Sequence, residues 1–543
     1  MTSTLMIEEF RKIRDDSIPR DSILVGDLLP HPSVLNVTNI PNQCGLLTPN
    51  EITITEQYTA CQLVNLLAQG QLTAEQVTRA YLKRAGIAHQ LTNCVSEFLT
   101  EEALARAKYL DEQFTKHGRP VGPLHGLPIS VKDYIAMQGH RTSASYVTWL
   151  NRIAPHDALV LKILSDAGAI FYVRTTQPQT LMHLECSSPI HGTTVNPFNR
   201  NLTSGGSSGG EGSLGGLKAT PMGIGTDIGG SIRSPAANNG IYGLRPTTLR
   251  ITKQGIMGIQ SGRESILGVV GPFARHRDDI HLFMKTILDT QPWLTDPSLV
   301  PLPWRSIPLT SDQLTVAVMW DDHVVHPHPP VTRALRETVQ HLKNFGIRIV
   351  DWQPVDHLTS WHLISALYYC NGAEEERTLL AAANEQLLPL TEWIFNQPNV
   401  KKRTWTDMNE LISARETYRN QYAQTWNERE ASFNCTIDCL LTPVGPSAAP
   451  LHETAKWWGY TSVWNLLDYP AAVFPVTTVD LVKDQVELDY TPRNALDSEN
   501  YKLYASPEVY ANAPIGLQVV GRRFDDEKVM RCVELIERAM GKE

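Results

Sequence analysis

Seven short apolar runs punctuate the chain, each leading into turn or helix signals: LPISV (127–131), AIFYVRT (169–175), LTVAVMW (314–320), IRIVDW (347–352), CLLTPV (439–444), AAVFPVTTV (471–479) and IGLQVVG (515–521). Each has the length of a strand and is too short for a membrane span. Helical patterns lie between them. Thr59-x-x-Gln62 and Thr73-x-x-Gln76 read as capping boxes followed by spaced apolar residues, 356–430 is helical and rich in Tyr and Trp, and Asp525–Met540 closes the chain as a helix. Strands alternating with helices predict an α/β layered fold. The Pro-rich stretch 291–308 reads as a surface connection, either a domain boundary or a loop between strands of one sheet.

Composition excludes several function classes. The chain has 543 residues, 42% hydrophobic and 19% charged, with a formal net charge of −9. That is a globular composition with no electrostatic reason to bind nucleic acid or an anionic membrane. The N-terminus is too acidic for a signal peptide. Within it, Leu5, Met6, Phe10 and Ile13 fall on one face of a short helix expected to dock on its own protein. Eight scattered cysteines form neither a disulfide framework nor a CxxC pair, so a cytoplasmic location is expected.

The stretch TSGGSSGGEGSLGG (203–216) fits three templates. Its Gly210-x-Gly212-x-x-Gly215 matches a dinucleotide fingerprint, but a polar, turn-rich segment precedes it where that fingerprint needs a strand. Gly205-x-Ser207-x-Gly209 matches the nucleophile elbow of α/β-hydrolases, which needs the same missing strand and a downstream His base; His326, His328 and His452 are the candidates. His323, His326 and His328 lack helical HxxxH spacing, so no metal site is expected, and no cofactor either. The third template uses more of the chain: Lys132 in GPLHGLPISVKD (122–133), Ser207, and Ser231 in GIGTDIGGSIRSPAANNGIYGLRPT (223–247).

In that order and spacing these segments resemble the amidase signature family. The likeness spans roughly residues 60–540, APIGLQVVGRRFDDEKVM (513–530) included, and LTNC (91–94), KHGRPVGPLHGLPISVKD (116–133), FYVRTTQPQTLM (171–182) and YGLRPT (242–247) look closest to fungal acetamidase-type amidases. The resemblance implies Ser231 as nucleophile, Ser207 as proton relay after a cis bond to Gly206, and Lys132 as base. It also implies an oxyanion hole of backbone amides from Ile228, Gly229, Gly230 and Ser231, and a pocket position at Leu181.

The chemistry suits these residue types. Amides are poor electrophiles with a bad leaving group, so the site needs an activated hydroxyl, a base that returns its proton, and donors for the oxyanion. A Lys serves as base only when neutral, which burial promotes; the apolar flanks of Lys132 suit that, although a surface pair with Asp133 is the plainer reading of the local residues. Asp227 and Arg233 are expected to brace the Gly-rich turn as an ion pair. The Trp and Tyr residues of WWGYTSVWNLL (457–467) are expected either in the acyl pocket or in the core, and Met182 in the core.

The resulting expectation is one α/β/α domain around a large mixed β-sheet (59–543) with a helical N-terminal extension (1–58). Its substrate is a small-molecule amide, without nucleic acid or membrane as partner, and a homodimer is the expected assembly. Two rivals are a glutamine-hydrolysing amidotransferase subunit of the same family and a catalytically dead binding protein.

Overall fold

A computed structural model describes residues 3–259 and 262–542. Thirteen strands occur among them: β1 Val95–Phe98, β2 Pro128–Lys132, β3 Ile170–Thr175, β4 Ser187–Ser188, β5 Gly192–Thr193, β6 Met222–Asp227, β7 Tyr242–Arg245, β8 Val269–Ala274, β9 Thr315–Val318, β10 Arg348–Asp351, β11 Cys439–Pro443, β12 Ala471–Thr478 and β13 Pro514–Val520. Eleven form one sheet in the order β1-β3-β2-β6-β8-β7-β12-β13-β11-β9-β10, and β4 pairs with β5. β3-β2-β6 and β11-β9-β10 are parallel, while the strands between them are antiparallel, so the sheet is mixed. This is the expected α/β class. All seven apolar runs are strands, and 291–308 connects two members of the same sheet rather than two sheets.

Sequence reading missed β1, β4, β5, β6, β7 and β8. Both capping boxes form: Thr59 Oγ1 accepts from the Gln62 amide at 3.1 Å while Gln62 accepts from the Thr59 amide at 2.9 Å, and Thr73 and Gln76 do the same. Each cap contributes about 1 kcal/mol. They start the helices Ala60–Ala68 and Ala74–Thr92, whose Leu63, Leu67, Val77, Ala80 and Tyr81 enter the main core. A second core is aromatic. Trp361 stacks on Trp393 at 6.0 Å, and Trp352 meets Trp426 at 5.2 Å. Trp457 and Trp458 join it. The N-terminal helix Ser3–Asp16 docks through Met6, Ile7 and Phe10, whereas Leu5 and Ile13 are half exposed. The expected face was therefore rotated, with Ile7 in the contact and Leu5 and Ile13 outside it.

Two neighbouring features position the site. Lys132 ends β2, in parallel register beside β6, which ends in Thr226-Asp227. Because successive side chains alternate across a strand, Ser130 and Lys132 share one face of β2, and the helix Gly209–Gly216 packs over that face through Glu211.

Candidate active site

Lys132 is fully buried. Its Nζ lies 2.6 Å from Ser207 Oγ and 3.1 Å from Thr226 Oγ1, with the Tyr134 ring centroid 5.4 Å away. Burial lowers its pKa to about 7, against the opposing pull of nearby Cys186, Asp227 and Glu211. Asp133 is not its partner: Asp133 instead accepts from Ser96 and Gln177 and sits 3.4 Å from Arg174.

Ser207 stands in an irregular segment ahead of the helix Gly209–Gly216, and the Gly206–Ser207 peptide bond is cis. Gly206 is required by close approach, since a Cβ there would fall 2.4 Å from the Glu185 carbonyl oxygen. No strand leads into Ser207. The histidines that an elbow would need are engaged elsewhere: His326 with Glu487, His328 with the Asn500 carbonyl, and His452 with the Arg200 carbonyl. The geometry thus does not build an α/β-hydrolase site. Gly210, Gly212 and Gly215 lie inside a helix rather than in a strand-to-helix turn.

Ser231 lies just past the end of β6, and the Ser208 amide donates to its carbonyl at 3.3 Å, tying the two serine segments together. The turn between Asp227 and Ser231 is pinned from outside. Arg233 forks onto Asp227 with contacts of 2.9 and 3.0 Å, and Asn465 Nδ2 adds a third donor at 2.9 Å. Burial alone would raise the Asp227 carboxyl; Arg233 and Asn465 override it and hold the group far below the usual range. The Tyr368 hydroxyl donates to the Ile228 carbonyl and the Thr461 hydroxyl to the Gly229 carbonyl, both at 2.6 Å. In a planar trans peptide the C=O and the next N–H point opposite ways. Fixing the Ile228 carbonyl on Tyr368 therefore aims the Gly229 N–H away from Tyr368. The Gly230 N–H does not share the expected role, because it donates to Asp227 Oδ1 at 2.9 Å.

Ser207, Ser231, Leu181 and Ile228 all line one cavity of about 420 Å³, together with Tyr134 and Met182. Met182 is buried in the second core, as expected, and borders this cavity as well. Trp457 and Trp458 are not walls of this cavity; Trp457 borders a separate one of about 70 Å³. Thr226, Tyr134, Tyr368, Thr461 and Asn465 were missed from sequence. Thr226 had a signal, lying within GTDIGGS; Tyr368, Thr461 and Asn465 are brought in from distant parts of the chain with no local mark. Among the described residues no cluster of three or more metal-ligating side chains occurs, and no helix is long and apolar enough to cross a membrane.

Two buried serines and a buried lysine, gathered where the interior strands β2 and β6 end, are the residue types that attack on a carbonyl by an activated hydroxyl would use. The chain belongs to the Amidase family, whose family model matches residues 76–530, and it is an amide hydrolase. It is 51% identical over 524 residues, 96% of each chain, to a Schizosaccharomyces pombe protein whose name places it among amidases. It is 39% identical over 517 residues, 94% of each chain, to the acetamidase of Emericella nidulans. Among solved structures it is similar to a fatty acid amide hydrolase, with a TM-score of 0.94 and 37% identity over 99% of this chain and 95% of that one.

Proposed function

We propose that this amidase cleaves a carboxylic amide through an acyl-enzyme on Ser231. Neutral Lys132 takes the Ser207 proton as Ser207 takes the Ser231 proton, and Ser231 Oγ bonds to the carbonyl carbon. The oxyanion is met by amides of Ile228, Gly229 and Ser231, with Gly230 shaping the turn. Ser207 then gives its proton to the nitrogen as the C–N bond breaks and Lys132 returns one to Ser207, so that ammonia or an amine leaves and Lys132 is neutral again. Water then attacks the acyl-enzyme, its proton passing through Ser207 to Lys132, and Ser231 departs reprotonated with release of the acid. The observation that carries this reading is the 2.6 Å contact between buried Lys132 and Ser207, in the cavity that Ser231 also lines.

The cavity wall supports a choice of acyl group. Tyr146, Leu181, Met182, Ile228, Ile259 and Ile266 are apolar or aromatic, and 420 Å³ far exceeds what acetamide fills. An apolar acyl chain or aryl ring of several carbons is the substrate best matched to that wall, with acetamide accepted as a small, weakly held member of the series. Ammonia release measured from acetamide, hexanamide, benzamide and a long-chain primary amide tests this, with a fluorophosphonate probe mapped by peptide mass spectrometry. The expected results are kcat/KM rising with apolar size and an adduct on Ser231. No turnover of any amide, or an adduct on Ser207 with Ser231→Ala active, overturns the mechanism; a maximum at acetamide overturns only the acyl assignment.

A further inference from the structure

Glu211 is a fully buried carboxylate that the steps above do not use. It projects from the helix Gly209–Gly216 onto the sheet, where Ser130 Oγ donates to Oε2 at 2.5 Å and Thr175 Oγ1 donates to Oε1 at 2.7 Å. Those two hydroxyls flank Lys132: Ser130 precedes it by two residues on the same face of β2, and Thr175 is its register partner on β3. The space is made by Gly223 on β6, where a Cβ would fall 1.9 Å from Glu211 Oε2.

We propose that Glu211 is a positioning residue for the base, its buried negative charge keeping the Lys132 amine basic enough to take the Ser207 proton. This rests on the reading of Lys132 as base. The groups facing this pair come from five places. Asp227 on β6 is already matched by Arg233, so its charge is largely spent within its own ion pair. Burial pushes Cys94, ahead of β1, up to about 12, raises the Cys186 thiol, and drives Tyr172 on β3 well above its usual range, so these three stay neutral. Burial raises the Tyr134 phenol as well, so it too stays neutral, with its hydroxyl on Thr226 and its ring facing the Lys132 amine. Glu211 itself is raised to about 7 by burial, against its two hydroxyl donors and Lys132, the cation that acts on it. Desolvation alone would leave the lysine a weak base; a carboxylate beside it opposes that.

The test is Glu211→Gln, which keeps the shape and both contacts, the amide oxygen accepting from one hydroxyl and the amide nitrogen donating to the other. With the charge gone, Lys132 loses its proton more easily. The rising limb of kcat/KM should move to lower pH by on the order of one unit, and the plateau should fall because the base is weaker. A folded variant whose limb stays at the wild-type pH, with only its melting temperature changed, overturns the proposal and leaves Glu211 as a structural staple. If Glu211→Gln does not fold, Ser130→Ala is read instead: it strips one donor from the carboxylate, which then neutralises at higher pH, and the limb should move the same way by less; an unmoved limb there also overturns the proposal. Lys132→Ala separates the two failures. An active Lys132→Ala sinks the mechanism itself, whereas an inactive one with an unmoved Glu211→Gln limb sinks only this inference.

Discussion

At the scale of single residues, the site trades stability for reactivity. Lys132 is buried and its pKa is lowered to about 7 from near 10.5. Between those values the unfolded chain binds a proton that the folded chain does not, so this group's contribution to stability rises with pH across that window and is least favourable below it. Lys132→Met should therefore be inactive yet more stable than the parent near pH 6, by up to a few kcal/mol, with the gain shrinking as pH approaches 10. Melting temperatures of both proteins across that range check it, and a variant less stable than the parent at pH 6 would show that Lys132 is not held neutral by burial. Tyr368 offers a second residue-scale case. Tyr368→Phe frees the Ile228 carbonyl and lets the turn rock, so kcat should fall roughly tenfold, the worth of one buried hydrogen bond, while the fold persists. An unchanged kcat would remove Tyr368 from the site. Lys132, Ser207 and Ser231 were legible because their three segments together resemble the family's motifs; the residues around Lys132 taken alone favoured a surface pair with Asp133. Tyr368, Thr461 and Asn465 were not, because a side chain that reaches the turn from a distant helix leaves no pattern around itself.

At the scale of elements, β2, β9, β11 and β13 were legible as continuous apolar runs and are buried on both faces, whereas β10, also legible, is a partly exposed edge strand. The illegible ones at the centre have a physical cause. Met222–Asp227 reads MGIGTD, with glycines where a strand normally carries branched side chains, because its neighbours press on it: a Cβ at Gly223 would meet Glu211 of the helix Gly209–Gly216, and one at Gly225 would fall 2.4 Å from the Phe273 ring on β8 and 2.9 Å from Ser208 Oγ. The property that hides β6 from a reading of propensity is the one that lets the serine segment lie against it. Gly223→Ala should accordingly cost about 1–3 kcal/mol by overpacking and impair turnover by displacing Glu211. Gly445→Ala, where a Cβ meets nothing within 4 Å, is the control and should be silent. Thermal unfolding of the two variants decides; equal stability would mean that the helix yields freely and that the glycine is not required by packing.

At the scale of the whole molecule, the sheet gathers the chemistry at one place. β2 and β6 are adjacent although ninety residues apart in sequence, which joins Lys132 to Thr226 and Asp227, while the helix Gly459–Leu467 lays Thr461 and Asn465 against the turn that follows β6. Among the described residues, 3–58 supply no side chain lining the catalytic cavity. They pack instead on the back of the helix Ala74–Thr92, where Leu24, Val37 and Leu47 cover Ile87 and Leu91, and Arg84 is held by Asn42, Thr55 and Glu56. On these contacts we propose that the extension, 1–58, stabilises and that the rest, 59–543, catalyses. Removing residues 1–58 uncovers Ile87, Leu91 and the buried Arg84 guanidinium at once, so the melting temperature should drop by several degrees and the protein should aggregate more readily. The molecules that remain folded should keep the parent's KM and the parent's pH profile, since neither the cavity wall nor the Lys132 surroundings has changed. Active-site titration with the fluorophosphonate probe counts the folded fraction, so that kcat is compared per competent site. An unaltered melting temperature would show that the N-terminal contacts add nothing; a shifted pH limb would show that the extension reaches the base through the helix it covers.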